Sequence, residues 1–249
     1  MKRKQPELNI SERLRERLRA ARGVFVLTGA GISAESGVPT FRGGGGTEVW
    51  KGMPFDVISS AGMLQRDLPA VWEWFDYRRR LLETLKPNAA HETLARWQDK
   101  FEHFTLATQN VDGLHAAAGS REVLELHGSV WTARCLSCKA REDVRRLDDA
   151  ERPPKCRDCG DSMRPDVVLF GEVLPTGVFQ TASLRASNCD VCFVIGTSAI
   201  VYPAAGLPVV AKQAGAFMVE INPEPTALSG MCDETIQGKA GEVLPLLDF

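Results

Sequence analysis

The run Gly23-Val24-Phe25-Val26-Leu27-Thr28 passes without a break into Gly29-Ala30-Gly31-Ile32-Ser33-Ala34, and this junction restricts the fold more than any other stretch. A short apolar, β-rich run predicts a strand covered on both faces, which belongs to a parallel sheet flanked by helices. The segment from Gly29 to Ala34 fits Gly-x-Gly-x-x-Gly/Ala, the turn that opens a helix in a dinucleotide-binding unit. There the first glycine makes the tight turn and the second lets backbone N–H groups approach a diphosphate, whose charge the helix N-terminus favours. A glycine turn that holds no ligand is the alternative reading of the motif alone.

An ordinary dehydrogenase would place a second strand, ending in an acidic ribose ligand, about 20 residues further on. Here the chain instead runs into Val38-Pro39-Thr40-Phe41-Arg42 and Gly43 to Gly46, which predicts a mobile loop. The nucleotide is therefore expected to be handled differently from a hydride carrier.

A length of 249 residues is long for a single core and predicts one large domain with smaller additions. Residues 8–22 predict a surface helix capped by Ser11, with Leu14 and Leu18 facing inward,. From Trp50 to about His103 the pattern is amphipathic and helical, with Trp72, Trp74, Phe75, Leu81, Leu82, Leu85, Leu94 and Trp97 as core,. Phe104 to Thr108 predicts a strand ending in the polar cluster Gln109-Asn110-Val111-Asp112-Gly113-Leu114-His115. Val123 to Gly128 predicts another, delivering His127 beside a glycine. Later strands end at Gly196-Thr197-Ser198 and Asn222, and such strand tips build the binding rim of an α/β sheet. The expected fold class is α/β: a Rossmann-like parallel-sheet domain from residues 1–45, 104–131 and 164–249, a helical insertion over 46–103 and a small zinc-ribbon module over 132–163.

Cys135-x-x-Cys138, 17 intervening residues and Cys156-x-x-Cys159 have the spacing of two knuckles that bring four thiolates around one Zn2+. Four thiolates leave no open position, so the zinc is expected to be structural. Cys189-x-x-Cys192 repeats the spacing inside an apolar run and reads as buried thiols,; Cys232 has no evident partner. Lys2, Arg3 and Lys4 are followed by no apolar segment and no cleavage site, so a cytoplasmic, reducing setting is expected. A net charge of −2 excludes a generally cationic nucleic-acid binder,, and no apolar run approaches the length of a membrane span. His91 reads as a capping histidine, His103 as a surface one, and His115 as positional. His127, at the end of a buried strand, has the residue type of a general base near neutral pH.

In order along residues 20–247, several blocks resemble the signature segments of the sirtuins: Gly29-Ala30-Gly31-Ile32-Ser33, Ser36-Gly37-Val38-Pro39-x-Phe41-Arg42-Gly43, Thr108 to His115, His127-Gly128, the four zinc cysteines, Val167-Val168-x-Phe170-Gly171-Glu172, Gly196-Thr197-Ser198 and Ile221-Asn222. The resemblance implies an NAD-dependent protein lysine deacylase that consumes NAD as a co-substrate and acts, as a monomer, on acyl-lysine proteins. It further implies a diphosphate site at Gly29, Ala30 and Gly31. Nicotinamide would lie among Ile32, Asn110, Val111 and Asp112 with Phe41 and Arg42, and ribose near Ser33 and Gln109. Adenosine would rest by Gly196, Thr197, Ser198, Asn222 and Ala240. The acyl oxygen attacks the ribose C1′ to give an alkylimidate, and His127 acts as general base toward nicotinamide and 2′-O-acyl-ADP-ribose as released products. Val168, Phe170 and Gly171 would wall the acyl-lysine tunnel along an exposed edge that accepts a peptide as an added strand. Sirtuins that remove succinyl or malonyl groups carry a Tyr-x-x-Arg pair. An ungapped alignment puts Phe75 in the Tyr place and keeps Arg78, whereas Tyr77-x-x-Arg80 has the spacing in a shifted register. Mono-ADP-ribosyl transfer or NAD hydrolysis in the same pocket is the alternative activity, and a binder without turnover the alternative class.

Overall fold

The computed structural model describes residues 10–39, 49–147 and 152–248; Phe41, Arg42 and the glycine run lie outside them. Helix α1 (Glu12–Ala20) starts where the Ser11 hydroxyl accepts the Leu14 N–H at 3.0 Å, and it buries Leu14 and Leu18. Strand β1 (Gly23–Thr28) is buried at every position, as a strand covered on both faces must be,. It turns into the one-turn helix α2 (Ala30–Ser33). A two-residue pair, β2 (Val49–Trp50) and β3 (Met53–Pro54), leads into α3 (Phe55–Ile58), α4 (Ala61–Arg66) and α5 (Leu68–Leu82). Side chains of Ser60 and Asp67 cap α4 and α5 by accepting the N–H groups of Met63 and Ala70,. Helix α6 (Ala89–Lys100) opens with Asn88 and His91 in a reciprocal capping box. Next come β4 (His103–Thr108), α7 (Leu114–Ala117) and β5 (Val123–Glu125). Strands β6 (Gly128–Cys135), β7 (Arg141–Asp143) and β8 (Met163–Val167) pair antiparallel in the order β7-β6-β8. The chain closes through α8 (Thr176–Ala186), β9 (Val191–Ile195), α9 (Leu207–Gln213), β10 (Phe217–Asn222), β11 (Glu234–Gln237) and α10 (Ala240–Val243).

The main sheet is parallel throughout, in the order β11-β10-β9-β1-β4-β5. Thr28 pairs with Thr108 on one side and Ile195 on the other, so the central strands end level. Strand order reverses between β1 and β9, and a sheet of this kind binds ligands outside the carboxyl ends at that point. One face is covered by α1, α6 and α10, whose Leu14, Leu94, Trp97 and Val243 pack on Val24, Val26 and Phe193. The other is covered by α8 and α9 through Ala182, Ala186, Leu207 and Ala211 on Phe25, Leu27 and Val194. Each large apolar side chain so buried contributes about 1.5–3 kcal/mol. This is the α/β, Rossmann-like architecture.

Two elements differ from the sequence reading. Leu94 and Trp97 do not belong to the inserted helical layer. Their helix, α6, packs on the main sheet because a parallel β1–β4 pair needs a crossover, and α6 supplies it,. The small antiparallel sheet reaches from Gly128 to Val167, beyond the 132–163 range that composition marks, since β6 and β8 continue pairing outside the cysteine-bearing loops. The inserted layer proper is α3 to α5. Ile58, Met63, Val71, Trp74 and Phe75 form a cluster with Val130, Val167 and Leu169. On the reverse of α5, Trp72 packs with Ala133, Val144 and Met163 under the cysteines and donates its indole N–H to the Met163 carbonyl at 2.8 Å.

Candidate active site

A cavity of about 1210 Å³ opens at the carboxyl ends of the main sheet. Gly29, Ala30 and Gly31 line it from the turn after β1, and Gln109, Asn110, Val111 and Asp112 from the turn after β4. Gly196, Thr197 and Ser198 line it after β9, Asn222 ends β10, and His127 stands between β5 and β6. The first and third turns interlock. The Gly31 N–H donates to the Gly196 carbonyl at 2.7 Å, and a Cβ on Gly31 would lie 2.7 Å from Gly196. Both glycines are therefore needed for the two strand ends to approach, besides any need of a ligand.

Behind the cavity wall the hydrogen bonds have fixed directions. Asn88 N–H donates to His91 Nδ1 (3.3 Å), so the His91 proton sits on Nε2, 3.3 Å from Ser33 Oγ,. Ser33 Oγ also accepts from Asn110 Nδ2 (3.1 Å) and donates to Asp112 Oδ2 at 2.7 Å. The other Asp112 oxygen accepts the Leu114 N–H at 2.9 Å. Asn110 Nδ2 donates in addition to the Gly29 carbonyl at 3.1 Å, which leaves Oδ1 as the free end of its carboxamide. Thr28 Oγ1 donates to Thr108 Oγ1 and stands 3.0 Å from His115 Nε2, which must then carry the proton. The buried Nδ1 of His115 has no partner. Burial pushes His91 down to about 4; burial and the neighbouring His91 push His115 down to about 3. Both are neutral rings. Burial raises the Asp112 pKa above the ordinary carboxylate value against the bonds from Leu114 and Ser33.

His127 is the one imidazole that reaches the cavity. Its Nδ1 lies 2.9 Å from the Gln109 carbonyl, an acceptor only, so Nδ1 carries the proton and Nε2 the lone pair,. Burial lowers its pKa, with the Gln109 contact opposing. The ring is therefore a base, not a cation, at neutral pH. Gly128 cannot be larger: its φ is +76°, and a Cβ there would lie 2.0 Å from the Asp166 carbonyl oxygen.

Away from the cleft, Cys135, Cys138, Cys156 and Cys159 bring their sulfurs within 4.8 Å of one another. Three of the separations are 3.5, 3.6 and 3.5 Å. Four sulfurs each about 2.3 Å from one tetrahedral Zn2+ would be about 3.8 Å apart, so the thiol set fits a closed structural zinc. Cys192 is buried in the main core, as expected of a small hydrophobe, whereas Cys189, also expected to be buried, is only half-buried at its edge.

The Sir2 family model matches residues 29–203, the stretch that carries the interlocked glycine turns, His127 and the four cysteines. The chain belongs to the Sir2 family. NAD-dependent protein deacylase 2 of Pyrobaculum aerophilum is 48% identical over 92% of this chain and 91% of its own length. NAD-dependent protein deacylase 1 of Caldanaerobacter subterraneus is 46% identical over 87% and 88%. Among solved structures, a Sir2 homologue in complex with NAD is 40% identical and superposes with a TM-score of 0.90, covering 97% of this chain and 93% of that one. A Sir2 protein bound to an acetylated peptide is 28% identical, with a TM-score of 0.84 over 96% and 97%.

Not every residue singled out in this Sir2 sequence lines the cavity. Ile32 is fully buried in the sheet core, Ser33 stands behind Asn110 and Asp112, and Ala240 is packed in the core beside Lys239, which does line it. At the far end Phe75 and Arg78 line the cavity, both nearly buried, whereas Tyr77 and Arg80 are exposed. The unshifted register is the one that faces inward, and Arg78 is no surface cation. Val168, Phe170 and Gly171 line the same end. Part of the edge expected to carry free backbone groups is already paired. Val168 N–H donates to the His127 carbonyl, Phe170 N–H to the Ser59 carbonyl, Glu172 N–H to the Leu169 carbonyl and Leu169 N–H to Glu172 Oε2. The segment folds back on its own side chain as a turn, which a strand-like pattern does not reveal.

Residue-type reasoning also missed Glu125, whose pKa rises to about 7 through burial, with Asp112 and Asp166 adding to it. No helix among the described residues is long and apolar enough to cross a membrane.

Proposed function

We propose that this Sir2 family member is an NAD-dependent protein lysine deacylase acting on acyl-lysine peptides, with His127 as its general base. The observation that carries the reading is the Nδ1–Gln109 hydrogen bond. It leaves a basic Nε2 in the cavity that also holds the Asn110–Asp112 turn and the interlocked glycine turns. NAD is the co-substrate: the acyl oxygen displaces nicotinamide at C1′ of the ribose to give an alkylimidate. Nε2 takes a proton from a ribose hydroxyl as the hydroxyl oxygen attacks the imidate carbon, and addition of water then breaks the bond to the lysine nitrogen, releasing free lysine and 2′-O-acyl-ADP-ribose. Asn110 Oδ1 and the Asp112 turn offer a carboxamide-sized polar site for nicotinamide. The glycine turns and Gly196–Ser198 supply the diphosphate and adenosine end, with Asn222 beyond. Val168, Phe170 and Gly171 wall the acyl-lysine, and Phe75 and Arg78 meet its acyl group. The relatives named as NAD-dependent protein deacylases and the neighbour bound to an acetylated peptide support the substrate class.

Nicotinamide release from NAD, measured with acetyl-lysine, succinyl-lysine and unmodified peptides, tests this. Release is expected with an acyl peptide alone, and His127→Ala is expected to lower it by about 10²-fold or more at unchanged thermal stability. Equal release with the unmodified peptide would assign the site to NAD hydrolysis or ADP-ribosyl transfer.

A further inference from the structure

An ion pair that sheet pairing does not require joins Arg164 of β8 to Glu172, which itself lines the cavity. Arg164, with 5% of its side chain exposed, places Nη1 2.5 Å from Glu172 Oε1 and Nη2 2.9 Å from Oε2. The same guanidinium donates to the Val167 carbonyl at 2.8 Å and the Pro165 carbonyl at 3.1 Å, while Glu172 Oε2 also accepts the Leu169 N–H at 2.9 Å. Burial works against ionisation of Glu172, but the bonds from Arg164 and Leu169 outweigh it and hold the carboxyl below its ordinary value. A buried ion pair adds little net stability, because desolvation offsets the attraction. What a two-pronged guanidinium–carboxylate contact supplies is fixed geometry.

The geometry it fixes is that of one short segment. Residues 167–172 are closed into a loop by this pair, and the loop carries Val168, Phe170 and Gly171 to the cavity. Val168 N–H rests on the His127 carbonyl at 2.8 Å, and Phe170 exchanges backbone hydrogen bonds with Ser59 and Ala61. A shift of the loop therefore moves the wall for the acyl-lysine relative to the base. The glycine turns and the β9 and β10 tips belong to the main sheet and do not depend on it.

We propose that Arg164 and Glu172 are positioning residues that set the acyl-peptide wall against His127, and that they govern recognition of the peptide while leaving NAD binding alone. The proposal rests on the deacylase function proposed for this cavity. Its test compares the wild type with Glu172→Gln, Arg164→Lys and Arg164→Met, varying an acetyl-lysine peptide at saturating NAD and then NAD at saturating peptide. A rise in peptide KM of about tenfold or more is expected for Glu172→Gln and Arg164→Met, with NAD KM changed less than twofold and partial recovery in Arg164→Lys. Equal changes in both KM values, or no change in either, would overturn it. Backbone hydrogen exchange of residues 168–172 gives a second reading that needs no turnover: Glu172→Gln should speed exchange there about tenfold and leave β1 and β4 protected. Unchanged exchange would overturn the clasp. Should the wild type turn over no acyl peptide, the function falls, and exchange alone decides the clasp.

Discussion

At position 127 the direction of one hydrogen bond settles which nitrogen is basic. The Gln109 carbonyl can only accept, so the proton stays on Nδ1, and burial keeps the ring neutral below the ordinary imidazole value. Glu125, two residues away, behaves in the opposite sense. Its folded pKa near 7 lies above the ordinary 4.5, so its share of stability is intact below pH 4.5 and is lost as pH rises through 7. Glu125→Gln is therefore expected to be near neutral at pH 5 and stabilising at pH 8, by up to about 3 kcal/mol. Urea unfolding at the two pH values checks this, and an equal effect at both would show that the carboxyl is not held protonated.

Among the elements, α5 has two faces with different tasks. Trp74, Phe75 and Arg78 line the cavity, while Trp72 and Asp76 face the cysteine lobe, where Asp76 pairs with Arg152 at 2.8 Å. Its phase was not legible in the sequence, because a helix covered on both sides has apolar residues around its circumference and no single polar face to fix its rotation. Strands β1 and β9 were legible for the complementary reason: full burial in a parallel sheet leaves an unbroken apolar run,. The turn at residues 167–172 was not, since backbone partners in a loop depend on neighbours remote in sequence, as Phe170 and Ser59 show. The positional reading of His115 fits its contact with Thr28 Oγ1, but residue type did not reveal that His91 orders the protons behind Asn110 and Asp112. With Arg78 facing inward, Arg78→Met is expected to lower kcat/KM for a succinyl-lysine peptide about tenfold or more, through loss of a charge-assisted bond, and to affect an acetyl-lysine peptide less. A matched loss for the two peptides would place Arg78 outside acyl recognition.

Over the whole molecule, the metal lobe and the cavity share that helix. Trp72 is fully buried beneath the cysteine-bearing strands, so metal loss should be felt beyond the lobe. Chelation that removes one zinc per chain, verified by metal analysis, is expected to lower the thermal midpoint, because binding and folding are coupled in such sites. A red shift in tryptophan emission should accompany it and be absent in Trp72→Phe. Verified metal loss with neither change would mean that the lobe stands without its ion. The division of α5 into two faces is incomplete. Position 78 lies on the cavity side, whereas Phe75 lines the cavity and also packs with Val130 and Val167 of the small sheet. On the deacylase reading proposed above, a new charge at 78 would meet the acyl group directly, while new bulk at 75 would also press on the sheet that carries the metal site.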